Sequence, residues 1–232
     1  MEVIMETRHS KLIWAKVIIL SVVLALFFFT STPPQERSAD NPRYVFLFIG
    51  DGMGQPQISA TEIYAYSMEN QDIGFKNLSF SDFPALGRIT TYTANSYFTD
   101  SAASGTALAA GYKTRNGRIK INTDGTQSFV SLAEVAQAAG RKIGILSSVS
   151  LDHATPACFF AQVPFRGRFY DISIQMAQSG FDFFGGGGLK FPSGRRGQQP
   201  DARELARKHG YHYILKRQTL LGPPDPRQAV PL

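Results

Sequence analysis

The sequence predicts an α/β protein with a mainly parallel central sheet flanked by helices. Three observations carry that expectation. Segments of strand and helix character alternate along the chain. The apolar runs Tyr44–Ile49 and Lys142–Ser147 are continuous rather than alternating. Glycines cluster directly after Ile49 and after the short Phe181–Phe184 segment. Continuous runs mark strands covered on both faces, and interposed helices supply the crossovers that parallel pairing needs.

The chain opens with Arg8, Lys11 and Lys16, followed by "VIILSVVLALFFF", a 13-residue uncharged run from Val17 to Phe29. Thr30–Thr32 and two prolines come next. A positive flank, an apolar centre and a small polar exit predict a signal peptide or membrane anchor over 1–32. A cleaved signal is the favoured reading, because a membrane-spanning helix needs about 20 apolar residues. "PPQERSADNP" (33–42) reads as a linker, and 43–232 as an exported folded domain, periplasmic or extracellular. Cys158 is the sole cysteine, which excludes a disulfide framework and a cysteine-based zinc site. Such a lone thiol is expected to be buried and inert.

Within the domain, Tyr44–Ile49 is expected to be a buried central strand. Gln55–Ser67 reads as a helix turning Ile58, Ile63 and Tyr64 to the sheet. Leu86–Thr93, rich in β-branched residues, reads as a strand. Ser101–Ala110 is a helix of small residues with Asp100 as its cap. Ser131–Ala139 is a helix with a Ser131/Glu134 capping box and a Gly140 stop. Lys142–Ser147 and Phe181–Phe184 are strands. "FFGGGGLK" lacks the spacing of a phosphate-binding loop and is assigned to a loop. Ala202–His209 is a helix and Tyr211–Leu215 a strand.

In parallel sheets, ligands sit beyond the carboxyl ends of the strands. That rule singles out Asp51 in "GDGMG" and His153 and Thr155 in "LDHATPA". A carboxylate among glycines can approach a metal closely, and its oxygens suit Mg²⁺ and also bind Zn²⁺. Taken alone, Asp51 equally suits a tight turn. Ser101 stands at a helix start, where free N–H groups and the dipole favour an alkoxide or a phosphate. A capped, closely packed helix explains the same residues. Arg166 has the planar fork that fits phosphate oxygens. From Lys190 to Leu232 there are nine Lys or Arg against three acids, so this segment holds the whole formal excess of +6. Steering of an anionic ligand is one reading and a solvated basic face the other. No nucleic-acid-binding motif is present.

In combination, "FIGDGMG", "TDSAASGTALAAGYKT" and "HATPACFFAQVPFR", in this order, resemble the alkaline phosphatase family. The second matches that family's phosphoserine signature. The likeness extends over Tyr44–Leu221 and includes "YDISIQM" and "FDFFGGG". It implies an α/β sandwich, a homodimer, and hydrolysis of small phosphate monoesters through a phosphoserine. It implies two Zn²⁺ and one Mg²⁺ as cofactors. Ser101 is then the nucleophile, Asp51 bridges Mg²⁺ and one Zn²⁺, and Thr155 gives its hydroxyl to Mg²⁺. Arg166 clamps the phosphate, Asp100 orients it, and His153 supports the Mg²⁺ site from behind. The family's other ligands, a pair of aspartates, several histidines and a glutamate, have no counterpart here. His209 and His212 fall in no matching motif. An incomplete form of a metal-dependent phosphomonoesterase is therefore expected, with activity of this polypeptide left open. The alternatives are a non-catalytic exported fragment and a related phosphodiesterase or sulfatase.

Overall fold

A computed structural model describes residues 42–214 and the backbone of 228–231. The leader and most of the linker lie outside the described residues, as does Leu215. The chain divides into two compact units, Met1–Ile49 and Gly50–Leu232.

Of the first unit, only 42–49 are described. The Arg43 guanidinium stands 5.6 Å from the Tyr44 ring centroid, and the Phe46 and Phe48 rings stack at 6.4 Å. Tyr44–Ile49 is not a strand, and Tyr44, Val45, Phe46 and Phe48 are exposed. The expected buried strand is thus corrected. Hydrophobic composition permits a strand, but only a hydrogen-bonded neighbour makes one. Among the described residues this run has no ladder partner.

The second unit holds six helices and four strands among its described residues. They are α1 (Gln55–Asn70), α2 (Ser101–Ala110), α3 (Leu132–Ala138), β1 (Gly144–Leu146), α4 (Ala154–Ala157), α5 (Phe169–Gln178), β2 (Phe183–Gly186), α6 (Ala202–Lys208), β3 (His212–Tyr213) and β4 (Gln228–Pro231). The sheet order is β1-β2-β4-β3, and every pairing is parallel. The predicted fold class therefore holds. β1 and β3 are shorter than the runs that announced them, and β2 is shifted two residues onward.

Three further expectations are corrected. Leu86–Thr93 forms no strand, and Leu86 and Ile89 are exposed. Like Tyr44–Ile49, it has β-forming side chains without a ladder partner. On α1, Ile63 and Tyr64 are exposed and Ile58 is half-buried; the one buried residue is Glu62. Its carboxylate accepts from Leu78 N and Ser81 Oγ at 3.2 and 2.6 Å, which ties the following loop to the helix. Finally, the glycine run is not all loop, because Gly185 and Gly186 lie in β2. A Cβ on Gly186 would stand 3.0 Å from Leu151 Cδ2 and 3.1 Å from Ser147 O. The glycines let the 147–151 loop lie directly on the strand.

The packed core lies between the sheet and the helices after α1. Phe181, Phe184, Phe160 and Tyr211 form a ring cluster at the sheet. Ile172, Met176 and Ala177 bring α5 onto it, and Ala202 and Ala206 bring α6. Such burial stabilises by roughly 1.5–3 kcal/mol per large side chain. Helix α3 begins with the predicted capping box: Ser131 Oγ accepts from Glu134 N at 3.2 Å, and Glu134 Oε2 accepts from Ser131 N at 2.7 Å. The same carboxylate holds the fully buried Lys120 ammonium at 2.5 Å. Burial pushes the Lys120 pKa down, against the pull of Glu134.

Candidate functional site

The site is built on the start of α2. Asp100 caps the helix as predicted, with Oδ1 accepting from Ala103 N at 2.9 Å. Its other oxygen accepts from Gly117 N at 3.0 Å and from Arg166 Nη1 at 3.1 Å. One carboxylate therefore joins the helix start, a loop and the guanidinium. Ser101, the first helical residue, then points its hydroxyl out of the helix end.

The small residues of α2 have a packing cause. Ala102, Ala103, Gly105, Thr106 and Ala109 are buried. A Cβ on Gly105 would stand 2.8 Å from Cys158 Sγ and 3.8 Å from Thr155 Cα. The close approach brings α4, which carries Thr155, against α2. Cys158 is buried as expected, and burial raises its thiol pKa to about 12. Its Sγ lies 3.4 Å from Ala102 O.

Asp51 sits in the turn ahead of α1, where Gly52 has φ +70°. Ser101 Oγ donates to Asp51 Oδ1 at 3.3 Å, and Thr155 Oγ1 donates to Asp51 Oδ2 at 2.6 Å. Residues 50 and 104 positions from Asp51 thus converge on one carboxylate. The Thr155 hydroxyl holds the Asp51 pKa below the usual carboxylate value; the Ser101 hydroxyl and the positive charge of Arg166 add to this, against the effect of burial.

His153 stands beside Arg166 rather than on Asp51, with Nε2 at 3.2 Å from Arg166 Nη2. A guanidinium has only donors, so Nε2 must accept and the imidazole is neutral, protonated on Nδ1. Burial and the Arg166 charge depress the His153 pKa in the same sense. That Nδ1 is buried without a partner among the described residues, as is Oδ1 of the neighbouring Asp152. With Asp100 on Nη1 and His153 on Nη2, the plane of the Arg166 fork is set.

Sequence reasoning missed two supports. Asn116 Oδ1 accepts from Asp100 N at 3.2 Å while its Nδ2 donates to Phe98 O at 2.9 Å. Gly117, at φ +84°, donates its N–H to Asp100, and its carbonyl accepts from Arg166 N at 2.7 Å. The Asn-Gly dipeptide was the available signal, since it favours a turn with positive φ.

The oxygens of Asp51, Ser101 and Thr155 are hard donors of the kind Mg²⁺ prefers, with water completing the shell. The same set does not fit zinc. No group of three or more His, Cys, Asp or Glu side chains converges among the described residues.

Fold and site together define a class: an α/β protein presenting a hydroxyl, a carboxylate and a guanidinium at the start of a small-residue helix. The alkaline phosphatase family profile matches residues 42–232. The chain belongs to the alkaline phosphatase family. It is 30% identical to the membrane-bound alkaline phosphatase of Bombyx mori, over 82% of this chain and 44% of that one. It is equally 30% identical to the alkaline phosphatase of Escherichia coli, over 85% and 47%. A histidine-to-glutamate variant of TAB5 alkaline phosphatase, solved with Mg bound, aligns with TM-score 0.65 and 25% identity, over 79% of this chain and 51% of that one. The chain spans less than half the length of these two curated relatives and about half that of the solved one. Among the described residues no helix is long and apolar enough to cross a membrane.

Proposed function

We propose that Ser101 is the nucleophile of a metal-dependent phosphomonoesterase. One observation carries the reading: Ser101 and Thr155 share the Asp51 carboxylate, while the cap of the Ser101 helix holds Arg166. Ser101 Oγ attacks phosphorus, and the bond from phosphorus to the ester oxygen breaks. The leaving alcohol keeps the electron pair and takes a proton from water, while the serine proton passes to solvent. Water then cleaves the phosphoserine, releasing inorganic phosphate and restoring the hydroxyl. Phosphoryl transfer of this kind depends on positioning and charge neutralisation.

Arg166 supplies both from this chain. Two of its five N–H groups are turned to Asp100 and His153, which leaves donors for phosphate oxygens. The neutral His153 adds no repulsion to a metal cation on Asp51. Asp51, with the hydroxyls of Ser101 and Thr155, would hold Mg²⁺, which when bound neutralises charge near the reacting hydroxyl. No zinc step is assigned to these residues. Export through 1–32, homodimer formation and a broad range of small phosphate esters belong to the same proposal and rest on family membership.

Incubation of the full chain with ³²P-phosphate and Mg²⁺, followed by acid quench and peptide mapping, tests the nucleophile. Label on the Ser101 peptide, lost in Ser101→Ala, is expected. Label that persists in that variant, or no label in either protein, overturns the assignment.

A further inference from the structure

A second cluster lies outside the site, where the basic segment that begins at Lys190 meets the start of α5. A cleft of ≈ 180 Å³ is lined by Gly167, Arg168, Phe169, Tyr170, Phe191 and Arg195, with Asp171 beside them. Its wall begins at the residue after Arg166. The Phe169 and Phe191 rings meet edge-on at 5.6 Å. Two cations lie over them: Lys190 Nζ at 4.8 Å from the Phe169 centroid and Arg195 Cζ at 5.1 Å from that of Phe191. Lys190 and Arg195 of the basic segment thus lie over rings from two parts of the chain, Phe169 and Phe191.

The charges around the cleft do not cancel. Arg168 pairs with Asp171 at 2.5 Å. Among the described residues neither Lys190 nor Arg195 has a carboxylate partner within ion-pair distance. The walls are also built, rather than merely basic. Lys190 N donates to the buried Asp152 Oδ2 at 2.8 Å, and Tyr170 Oη donates to Pro200 O at 2.8 Å. The loop bearing Arg195 is closed on itself by Gly194 N to Phe191 O, Gly197 N to Gly194 O and Gln199 N to Ser193 O, each at 3.0 Å. Ala202 N to Pro192 O at 2.8 Å ties that loop to α6.

We propose that this cleft binds a single aromatic ring bearing an anionic group. Its volume suits one six-membered ring, since a cavity of about 150 Å³ accepts benzene. The ring packs on Phe169 and Phe191, and its anion neutralises Lys190 and Arg195. Neither contact alone selects the ligand: a small anion lacks the ring, and a neutral ring leaves the cations unpaired. The inference stands whether or not Ser101 turns over, because it concerns binding alone.

The test titrates the full-length chain with benzoate, with acetate and cyclohexanecarboxylate as controls, following ¹⁵N chemical shifts. Benzoate is expected to bind with millimolar affinity and to shift Gly167, Tyr170 and Phe191 amides, well ahead of both controls. Lys190→Ala or Arg195→Gln should each weaken it about fivefold, as expected for loss of roughly 1 kcal/mol. Both side chains lie at the surface of the cleft, and unchanged far-ultraviolet circular dichroism will confirm folding of the variants. Benzoate binding no tighter than acetate, or insensitive to both substitutions, overturns the proposal. So does binding abolished by Arg166→Ala but not by Arg195→Gln, since the anion would then sit beside Ser101.

Discussion

Helices α1 and α2 are built in opposite ways. α1 has 16 residues and buries one of them, Glu62; α2 has 10 and buries five. α1 is the longer helix, with large side chains such as Ile63, Tyr64 and Met68 standing exposed. α2 is nearly all Ala, Gly, Ser and Thr, yet its backbone is pressed against α4. Burial here follows from how close two backbones can come, rather than from how apolar the side chains are. Close approach also fixes position, which is why the proposed nucleophile is on α2 and not α1.

Gly105 is the sharpest place to break that contrast. Gly105→Val forces atoms into the space of Cys158 Sγ and pushes α4 away from α2. A loss of about 3 kcal/mol is expected, the upper part of the range for overpacking. The denaturation midpoint measures it. The coupling to the site can be read separately, because α4 carries Thr155. Gly105→Ala should weaken phosphate labelling of Ser101 before it unfolds the protein. Combining it with Cys158→Ala should recover part of both losses, giving a non-additive cycle. Additive effects would mean that the two helices are not in contact as described.

The next largest effect is expected at the helix start. Asp100→Ala removes the cap on Ala103 N, the acceptor of Gly117 N and the partner of Arg166 at once. A cap is worth about 1 kcal/mol, and the partly buried charge contacts bring the expected loss to about 2 kcal/mol. Asp100→Asn, which keeps a capping oxygen, should restore most of the stability but not the grip on Arg166. Thermal melts and phosphate titrations of the two variants separate the contributions.

The α2 side of the comparison was more legible in the sequence than the α1 side. Caps are local, so Asp100, the Ser131/Glu134 box and the Gly140 stop could be read directly. Parallel pairing was legible from uninterrupted apolar runs, and β1 and β2 followed. Tyr44–Ile49 and Leu86–Thr93 were misread because a strand is defined by its neighbour, which its own residues do not encode. Convergence of Asp51, Ser101 and Thr155 was read through the family signature; no periodicity links residues 104 positions apart. The roles of Asn116 and Gly117 stayed hidden because the Asn116 amide binds backbone groups of Asp100 and Phe98, and Gly117 acts through its own N–H and carbonyl, so no side-chain pattern announces either. Only the Asn-Gly pair hinted at the turn.

Alkaline pH probes the same α2–α4 contact more gently. The Cys158 pKa is raised by burial from 9.0 to about 12. The folded state therefore holds the thiol proton more tightly than the unfolded chain does. This contribution to stability is complete below pH 9 and declines as pH rises toward 12. At pH 10 a loss of about 1 kcal/mol is expected relative to pH 8, and Cys158→Ala should lack that component. A thiol reagent at pH 8 should modify Cys158 only as fast as the protein opens, since the buried thiol is almost wholly protonated. Immediate modification of the folded chain would place the sulfur at the surface and remove the argument for Gly105.

The smallest effect belongs to α1 and has the opposite sign. Its last turn is closed by Gln71 at φ +53°, a left-handed conformation that costs a residue with a Cβ about 1 kcal/mol or more. α2 ends on Gly111 at φ +78°, where no such cost arises. Gln71→Gly should relieve the strain while raising the conformational entropy of the unfolded chain, so the two terms partly cancel. A net gain of about 0.5 kcal/mol is expected, visible as slower amide exchange over the last turn of α1. The gain should stay local. Because α1 buries only Glu62 among the described residues, a firmer C-terminus has little packed surface through which to reach the rest of the molecule. An equal slowing of exchange across α2 would show that the two helices share more structure than their burial implies.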